Sequence, residues 1–275
     1  MYNKEKLMQT LRDIKDEAAT ICPYVIVAQP RRSETSPQAQ CLDGHLGLHV
    51  DFCGFSRGYI ESTGMPVDSA RNYLIEAALE SDAEYLFFMG DDTVSPWKAF
   101  KILHETSQKN PDAVVAGVYY MKINDAMVMI NKDNKIYVPN VDPGQVFEAW
   151  QTGMDCMLIP MRILRKMREE EPELPFCCIA SGIEDIPFIG EDNFFVHRLR
   201  KHGFRLLVNT DVQCLHMDVY TGKYTAHPNV NLDDYYTNIP ITEPLTMADK
   251  RRIDRTWATT TDETSERYLK LASGE

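Results

Sequence analysis

Two adjacent carboxylates follow a strongly apolar segment of the chain. The segment Tyr85–Met89 reads YLFFM, and Gly90, Asp91 and Asp92 come directly after it. A run that is apolar at every position is typical of a central strand covered on both faces, and ligands gather beyond the carboxyl ends of such strands. Neighbouring carboxylates repel each other unless a cation or donors lie between them, and divalent cations prefer oxygen ligands. The pair therefore indicates a metal site, with capping of the next helix as the alternative.

A second acidic pair and a late histidine are the other candidates for chemistry. Glu191 and Asp192 follow Gly190 at the start of a predicted helix, where the dipole and the free N–H groups favour ionised carboxylates. That structural role accounts for one of the two acids. His216 ends a predicted strand, where it is either a structural residue or, if the fold returns it to Asp92, a metal ligand.

Alternating strands and helices must position these residues. Apolar runs and turn signals over the first 120 residues predict a strand, helix, strand, helix, strand order, which favours an α/β fold with a mostly parallel sheet. Ser95 and Pro96 predict the start of the helix that follows the acidic pair. The predicted strands lie at 24–29, 46–52, 85–89, 113–120, 146–160, 205–209 and 212–216, and a hairpin lies at 127–139. Helices are predicted at 161–170 and within 190–203, where Gly203 follows the end of the second helix.

Composition and charge exclude several classes of protein. The 275 residues are 44% hydrophobic and 25% charged, which is ordinary for a globular chain and rules out a fibrous or disordered one. A net charge of −12 has the wrong sign for a protein held to nucleic acid by its overall field, although a local basic groove remains compatible with it.

Location and cysteine chemistry follow from the same sequence. The first 20 residues are charged throughout and no apolar window is long enough for a membrane span, so we expect a soluble, cytoplasmic protein. Seven cysteines without a C-x-x-C pair favour reduced, buried thiols over a disulfide frame or a zinc site.

Six motifs in order resemble the motif series of GT-A-fold glycosyltransferases. They are SARN at 69–72, YLFFMGDDTVSP at 85–96, GVYY at 117–120, QTGMDCMLIP at 151–160, GEDNFFVHRLRKHGF at 190–204 and NTDVQCLHMD at 209–218. The resemblance implies a GT-A-like, Rossmann-type three-layer α/β sandwich. We assign it to a domain over 1–220, which begins with an amphipathic helix at 1–20, and we treat 221–275 as a C-terminal extension.

The resemblance implies a divalent ion, Mn²⁺ or Mg²⁺, that bridges the diphosphate of a nucleotide sugar. In this family a D-x-D element holds the ion and a late histidine completes its shell, which maps the metal ligands onto Asp92 and His216. The first aspartate of the element falls on Gly90 here. We therefore expect Asp91 to take over part of the contact with the donor.

Further site residues follow from the same resemblance. Arg71 matches the arginine near the donor. We expect Asn72, Gln29, Arg31 and Arg32 to help bind the nucleotide, with ordinary surface charge as the alternative for Arg31 and Arg32. Asp192 matches the aspartate of the family's E-D pair, and we expect it to act as the base if the transfer inverts the sugar, or to position the acceptor if the transfer retains configuration.

The remaining catalytic and acceptor residues are mapped in the same way. Glu191 is the second candidate for the base. Gly153 and Asp155 align with the segment that borders the acceptor, and Trp150 is expected either to stack on a sugar or to belong to the core.

The sequence therefore predicts a metal-dependent glycosyltransferase that uses a nucleoside-diphosphate sugar, with a UDP- or GDP-sugar favoured. The acceptor class stays open among a glycan, a protein, a lipid carrier and a modified base, as do the oligomeric state and the choice between inversion and retention. Two alternatives remain: a non-catalytic glycan- or nucleotide-binding protein on the same fold, motivated by Gly90, and a nucleotidyltransferase.

Overall fold

The structure, a computed structural model, describes residues 24–31, 56–121, 128, 130–131, 141–179, 190–218, 223–225, 227 and 235. The predicted helix at 1–20, the predicted strand at 46–52 and the candidate nucleotide contact Arg32 lie outside these residues. The strands are β1 (Tyr24–Arg31), β2 (Ser56–Thr63), β3 (Tyr85–Met89), β4 (Thr93–Val94), β5 (Ala113–Val118), β6 (Ile130–Asn131), β7 (Val146–Glu148), β8 (Gln151–Thr152), β9 (Cys156–Pro160), β10 (Arg205–Gln213), β11 (Leu215–Asp218) and β12 (Lys223–Thr225). The helices are α1 (Val67–Leu79), α2 (Ala99–Lys109), α3 (Met161–Glu170) and α4 (Glu191–Lys201).

A mostly parallel sheet forms the centre of the molecule. Seven strands follow the order β2-β1-β3-β9-β5-β10-β7, in which β9 and β7 run against the other five. The predicted α/β class with a mostly parallel sheet is confirmed. The antiparallel β9 has a direct consequence for the site, because its first residues lie beside the last residues of β3.

Helices cover both faces of this sheet. All five residues of β3 are buried, as expected of a strand with helices on either side. Leu86 and Phe88 pack into a core with α1, α3 and α4, whereas Phe87 packs into a second core with Phe100 of α2. The successive side chains of β3 thus alternate between two cores, and the predicted three-layer arrangement is confirmed.

The helix that follows the acidic pair begins later than predicted. Ser95 and Pro96 lie before the helix rather than in its first turn, and α2 starts at Ala99, whose N–H donates to the carbonyl of Pro96 over 2.9 Å. The two residues just before Ser95 form β4, which pairs with β11. This pairing draws the chain across the end of the sheet before the helix can start.

Two smaller sheets continue the body beyond the central one. Only residues 128, 130 and 131 of the predicted hairpin are described, and β6 among them pairs with β8. The rest of that predicted hairpin lies outside the described residues. In the predicted extension, β12 pairs with β11, and the Tyr235 hydroxyl donates to the carbonyl of Gln213. The described residues beyond 220 therefore pack on the body, while the domain boundary at 220 stays a prediction. None of the helices in the described ranges is long and apolar enough to cross a bilayer.

Candidate active site

Two strand ends bring three predicted site residues together. Asp92 follows β3, Asp155 precedes the antiparallel β9, and His216 lies in β11. Each of the three offers a ligand atom, and these atoms all lie within 4.8 Å of one another. Two carboxylates and an imidazole at this spacing form a group that can hold a divalent metal ion.

His216 is fixed by strand pairing and by its own ring. It lies opposite Thr93 in the β11–β4 pair, and the N–H of Met217 donates to the carbonyl of Asp92 over 2.7 Å. Its Nδ1 lies 2.6 Å from the carbonyl oxygen of Tyr120, and Nε2 lies 3.6 Å from Oδ1 of Asp92. Because a carbonyl only accepts, Nδ1 carries the proton and the Nε2 lone pair is left for a ligand.

Arg71 connects this cluster to the acids of α4. Its Nη2 donates to Oδ1 of Asp155 over 2.8 Å, and its Nη1 donates to Oε1 of Glu191 over 2.6 Å. Burial opposes the charge of this 4% exposed side chain, but the carboxylates of Glu191 and Asp155 outweigh burial and raise the pKa of Arg71. Arg71 is therefore a permanent cation that orients two carboxylates at once.

The surroundings of Asp192 shift the pKa of its carboxyl group. Burial, followed by the negative charge of Glu191, raises the pKa of Asp192 to about 7, although Arg71 opposes the rise. One oxygen accepts the N–H of Asn193 over 2.7 Å. A carboxyl that exchanges its proton near neutral pH is what general acid–base chemistry requires.

Tyr119 is a site residue that the sequence analysis did not identify. Its ring packs edge-on against His216 with the centroids 5.1 Å apart, and burial, followed by the charge of Asp155, raises its pKa. A Cβ at Gly153 would lie only 1.6 Å from the Tyr119 hydroxyl oxygen. Gly153 therefore makes room for Tyr119, and the only sequence signal for this role is the GVYY motif.

The candidate donor residues fall into two groups. Arg31 and Asp91 line the cavity, and Arg31 pairs with Glu61 at 2.9 Å. Gln29 is fully buried, and its Oε1 accepts the Tyr59 hydroxyl over 2.8 Å. Gln29 is not among the described residues that line the cavity.

Asn72 and Trp150 have partners within the protein. Asn72 donates to the carbonyl of Cys177 over 2.6 Å and accepts its N–H over 2.9 Å, so both ends of the amide are occupied. The Arg200 guanidinium carbon lies 4.1 Å from the centroid of the Trp150 ring. Neither Asn72 nor Trp150 lines the cavity, so the structure does not bring these two predicted residues to the site.

A cavity of about 500 Å³ joins the predicted metal and base residues. Its described lining consists of Pro30, Arg31, Met65, Val67, Ala70, Arg71, Gly90, Asp91, Asp92, Tyr119, Met121, Asp155, Ile179, Glu191, Asp192 and His216. A volume of this size is typical of sites for small molecules and cofactors.

Comparison with known proteins gives only distant likenesses. No protein-family model matches the chain, and no curated protein matches it. Among solved structures it is similar to A197 from STIV, at 17% identity over 71% of this chain and 86% of that one, with a TM-score of 0.48.

Two glycosyltransferase structures also overlap with it. One is involved in the glycosylation of the major capsid of PBCV-1, at 12% identity over 56% of this chain and 69% of that one, with a TM-score of 0.34. The other is GalNAc-T7 with UDP, GalNAc and Mn²⁺, at 9% identity over 86% of this chain and 54% of that one, with a TM-score of 0.43.

Proposed function

We propose that this chain is a metal-dependent glycosyltransferase that moves a sugar from a nucleoside-diphosphate sugar to an acceptor hydroxyl. The observation that carries the proposal is the meeting of the ligand atoms of Asp92, Asp155 and His216 in a cavity that Glu191 and Asp192 also line. The order of the motifs supports the same roles for Asp92, His216 and Asp192.

The donor atoms of the cluster suit the ion that the family resemblance implies. Carboxylates suit Mg²⁺ and Mn²⁺, and an imidazole with its other nitrogen already bonded favours Mn²⁺ of the two. Asp92 and His216 would hold the ion, with a carboxylate oxygen of Asp155 within reach. When bound, the ion supplies Lewis-acid stabilisation of the negative charge that develops on the departing diphosphate.

Arg71 has two roles in the proposed site. It lines the cavity, where its positive charge favours a diphosphate, and it holds Asp155 and Glu191 through separate arms of the guanidinium. Its two ion pairs keep both carboxylates in place before a substrate arrives. Arg31, which pairs with Glu61, is the other arginine in the described lining of the cavity.

Asp192 is the base of the proposed reaction for an inverting transfer. The O–H bond of the acceptor breaks and its proton passes to the Asp192 carboxylate. The acceptor oxygen then forms a bond to the anomeric carbon, and the bond from that carbon to the diphosphate oxygen breaks. With a pKa of about 7, Asp192 is partly ionised at neutral pH, and its carboxylate accepts a proton more readily than an ordinary aspartate does.

A non-catalytic glycan- or nucleotide-binding protein on the same fold is the second candidate. This alternative is suggested by Gly90, which stands where the D-x-D element would have its first carboxylate. The carboxylate of Asp155 lies beside position 90, so the missing aspartate is a weaker argument for a non-catalytic protein. Calorimetry that finds metal-dependent nucleotide binding, with no turnover of any sugar donor, would favour it over the transferase.

A thermal-shift panel tests the proposal and identifies the donor. The melting temperature is measured with UDP, GDP, UDP-sugars and GDP-sugars, each with Mn²⁺, with Mg²⁺ and with EDTA, because a ligand that binds only the native state raises it. We expect one nucleotide series to stabilise the protein in the presence of the metal and not in EDTA. Equal melting temperatures across the whole panel would contradict the proposal.

A further inference from the structure

Gly90 and Asp155 are neighbours across two antiparallel strands. Met89 of β3 pairs with Cys156 of β9, so the next pair beyond the strand ends is Gly90 with Asp155. The N–H of Gly90 donates to the carbonyl of Asp155 over 2.9 Å. Directly opposed residues in such a pair present side chains to the same side of the sheet at close range. A carboxylate on this side of the sheet can therefore be supplied from position 90 or from position 155.

A side chain at position 90 would collide with Asp155 unless one of the two moved. A Cβ built on Gly90 would lie 2.7 Å from Cγ of Asp155 and 2.9 Å from its Cβ. Asp155 has little freedom to move away, because Arg71 Nη2 holds its Oδ1 at 2.8 Å and its main chain is bonded to Gly90. The glycine is thus required by the aspartate that faces it.

The opposing carboxylate lies where a metal ligand is needed. Its oxygen belongs to the group that includes Asp92 and His216, all within 4.8 Å. His216 is only 7% exposed, and its Nε2 lies 3.6 Å from Asp92, which is longer than a hydrogen bond. A carboxylate has two oxygens, so Asp155 can accept from Arg71 through Oδ1 and still offer a ligand atom.

From this geometry we infer that Asp155 is the metal-binding carboxylate that replaces the one missing at position 90. The two carboxylates of the site then come from two antiparallel strands, Asp92 after β3 and Asp155 before β9, rather than from one D-x-D segment. The inference rests on the proposed metal site and gives Asp155 a role different from contact with the acceptor. It also explains why an aspartate and a glycine occur together at these two positions.

Binding of Mn²⁺ alone tests this inference without a turnover assay. The fraction bound is measured from the loss of the electron paramagnetic resonance signal of the free ion. Asp155→Asn keeps the shape of the side chain and removes its charge, and we expect it to weaken Mn²⁺ binding by at least about tenfold. Asp112→Asn is the matched control, because it also removes an aspartate partner of an arginine, Arg205, but Asp112 is not among the described residues that line the cavity. We expect its Mn²⁺ affinity to stay close to that of the wild type.

A reciprocal exchange makes the test specific to the pair. Gly90→Asp alone should lower the melting temperature, because its side chain overlaps Asp155. The double variant Gly90→Asp/Asp155→Gly should bind Mn²⁺ more tightly than Asp155→Gly alone, because it returns a carboxylate from the opposite strand.

The outcomes separate this inference from the proposed function. Mn²⁺ binding that is lost in Asp92→Asn and unchanged in Asp155→Asn would overturn the inference and leave the proposed metal site standing. A double variant that binds no better than Asp155→Gly would overturn it as well. A wild-type protein that binds no Mn²⁺ would overturn the inference together with the metal site.

Discussion

The imidazole Nδ1–H of His216 donates a hydrogen bond to the main-chain oxygen of Tyr120 over 2.6 Å. Strand pairing positions the ring, since β11 runs beside β4 and carries His216 to the end of the central sheet. The contact fixes the tautomer and leaves the Nε2 lone pair on the side of Asp92. A histidine held in this way is prepared to ligate a metal rather than merely to fill space.

The first prediction concerns this ring. His216→Gln removes the ligand nitrogen while keeping a polar side chain of moderate size, and we expect Mn²⁺ affinity to fall by at least about tenfold in a calorimetric titration. His104→Gln is the matched control, because His104 is also buried but packs against Tyr85 and Phe100 away from the cavity. Equal affinities in the two variants would contradict a ligand role for His216.

A second prediction follows from the raised pKa of Asp192. Its folded-state pKa of about 7 lies above the usual value, so between about pH 4 and pH 7 the native state binds more protons than the unfolded state. The contribution of this group to stability therefore falls as the pH rises through that window. An amide side chain cannot ionise, so Asp192→Asn lacks this loss of stability. The melting temperature of the metal-free variant minus that of the metal-free wild type should therefore increase from pH 5 to pH 8. A difference that stays constant would show that the Asp192 carboxyl titrates normally.

Space beside Gly153 gives the third prediction. In Gly153→Ala the new Cβ would meet the Tyr119 hydroxyl oxygen at 1.6 Å and the ring carbon that bears it at 2.8 Å. We expect a loss of about 1–3 kcal/mol in the free energy of unfolding, since inserted atoms must displace a buried ring.

Tyr119→Phe supplies the control for that substitution. It removes the atom with the closest contact, so Gly153→Ala should cost less in the Tyr119→Phe background than in the wild type. A double-mutant cycle in urea measures this coupling. Additive effects would mean that the two positions do not compete for space.

The fourth prediction assigns Asn72 to structure. Its amide bonds both the N–H and the carbonyl of Cys177, so Asn72→Ala should cost about 1–3 kcal/mol in urea unfolding, because buried main-chain groups lose their partners. Asn72→Asp keeps the acceptor for the N–H of Cys177 but sets a carboxylate oxygen against the Cys177 carbonyl, so it should cost at least as much as Asn72→Ala. If instead Asn72→Ala leaves stability unchanged and weakens nucleotide binding, the sequence-based donor role is the correct one.

Local patterns were sufficient to predict much of the fold. The helix predicted at 161–170 has those bounds, and Gly203, predicted to follow the end of α4, has a φ of 78°. Apolarity at every position predicted a central strand at Tyr85–Met89. These features depend on residues close together in the chain, where side-chain periodicity and capping act directly.

Features that depend on strand pairing could not be predicted in this way. Ser95 and Pro96 carry a helix-start signal, but the pairing of β4 with β11 delays the helix to Ala99. From the sequence alone, Gly90 indicates that a metal ligand is missing. Asp155 lies beside it only because β3 pairs with β9, which is distant in the chain. Tyr119 was missed because it continues an apolar strand, and only the fold shows it beside His216.

Release of nucleoside diphosphate from the sugar donor chosen by the thermal-shift panel tests the central claim most directly. The rate is measured for the wild-type protein with Mn²⁺, after excess EDTA and after Mn²⁺ is restored, with Asp92→Asn as the reference. The account predicts turnover that EDTA abolishes, that Mn²⁺ restores and that Asp92→Asn reduces by orders of magnitude. Turnover that persists at the wild-type rate in excess EDTA would contradict it.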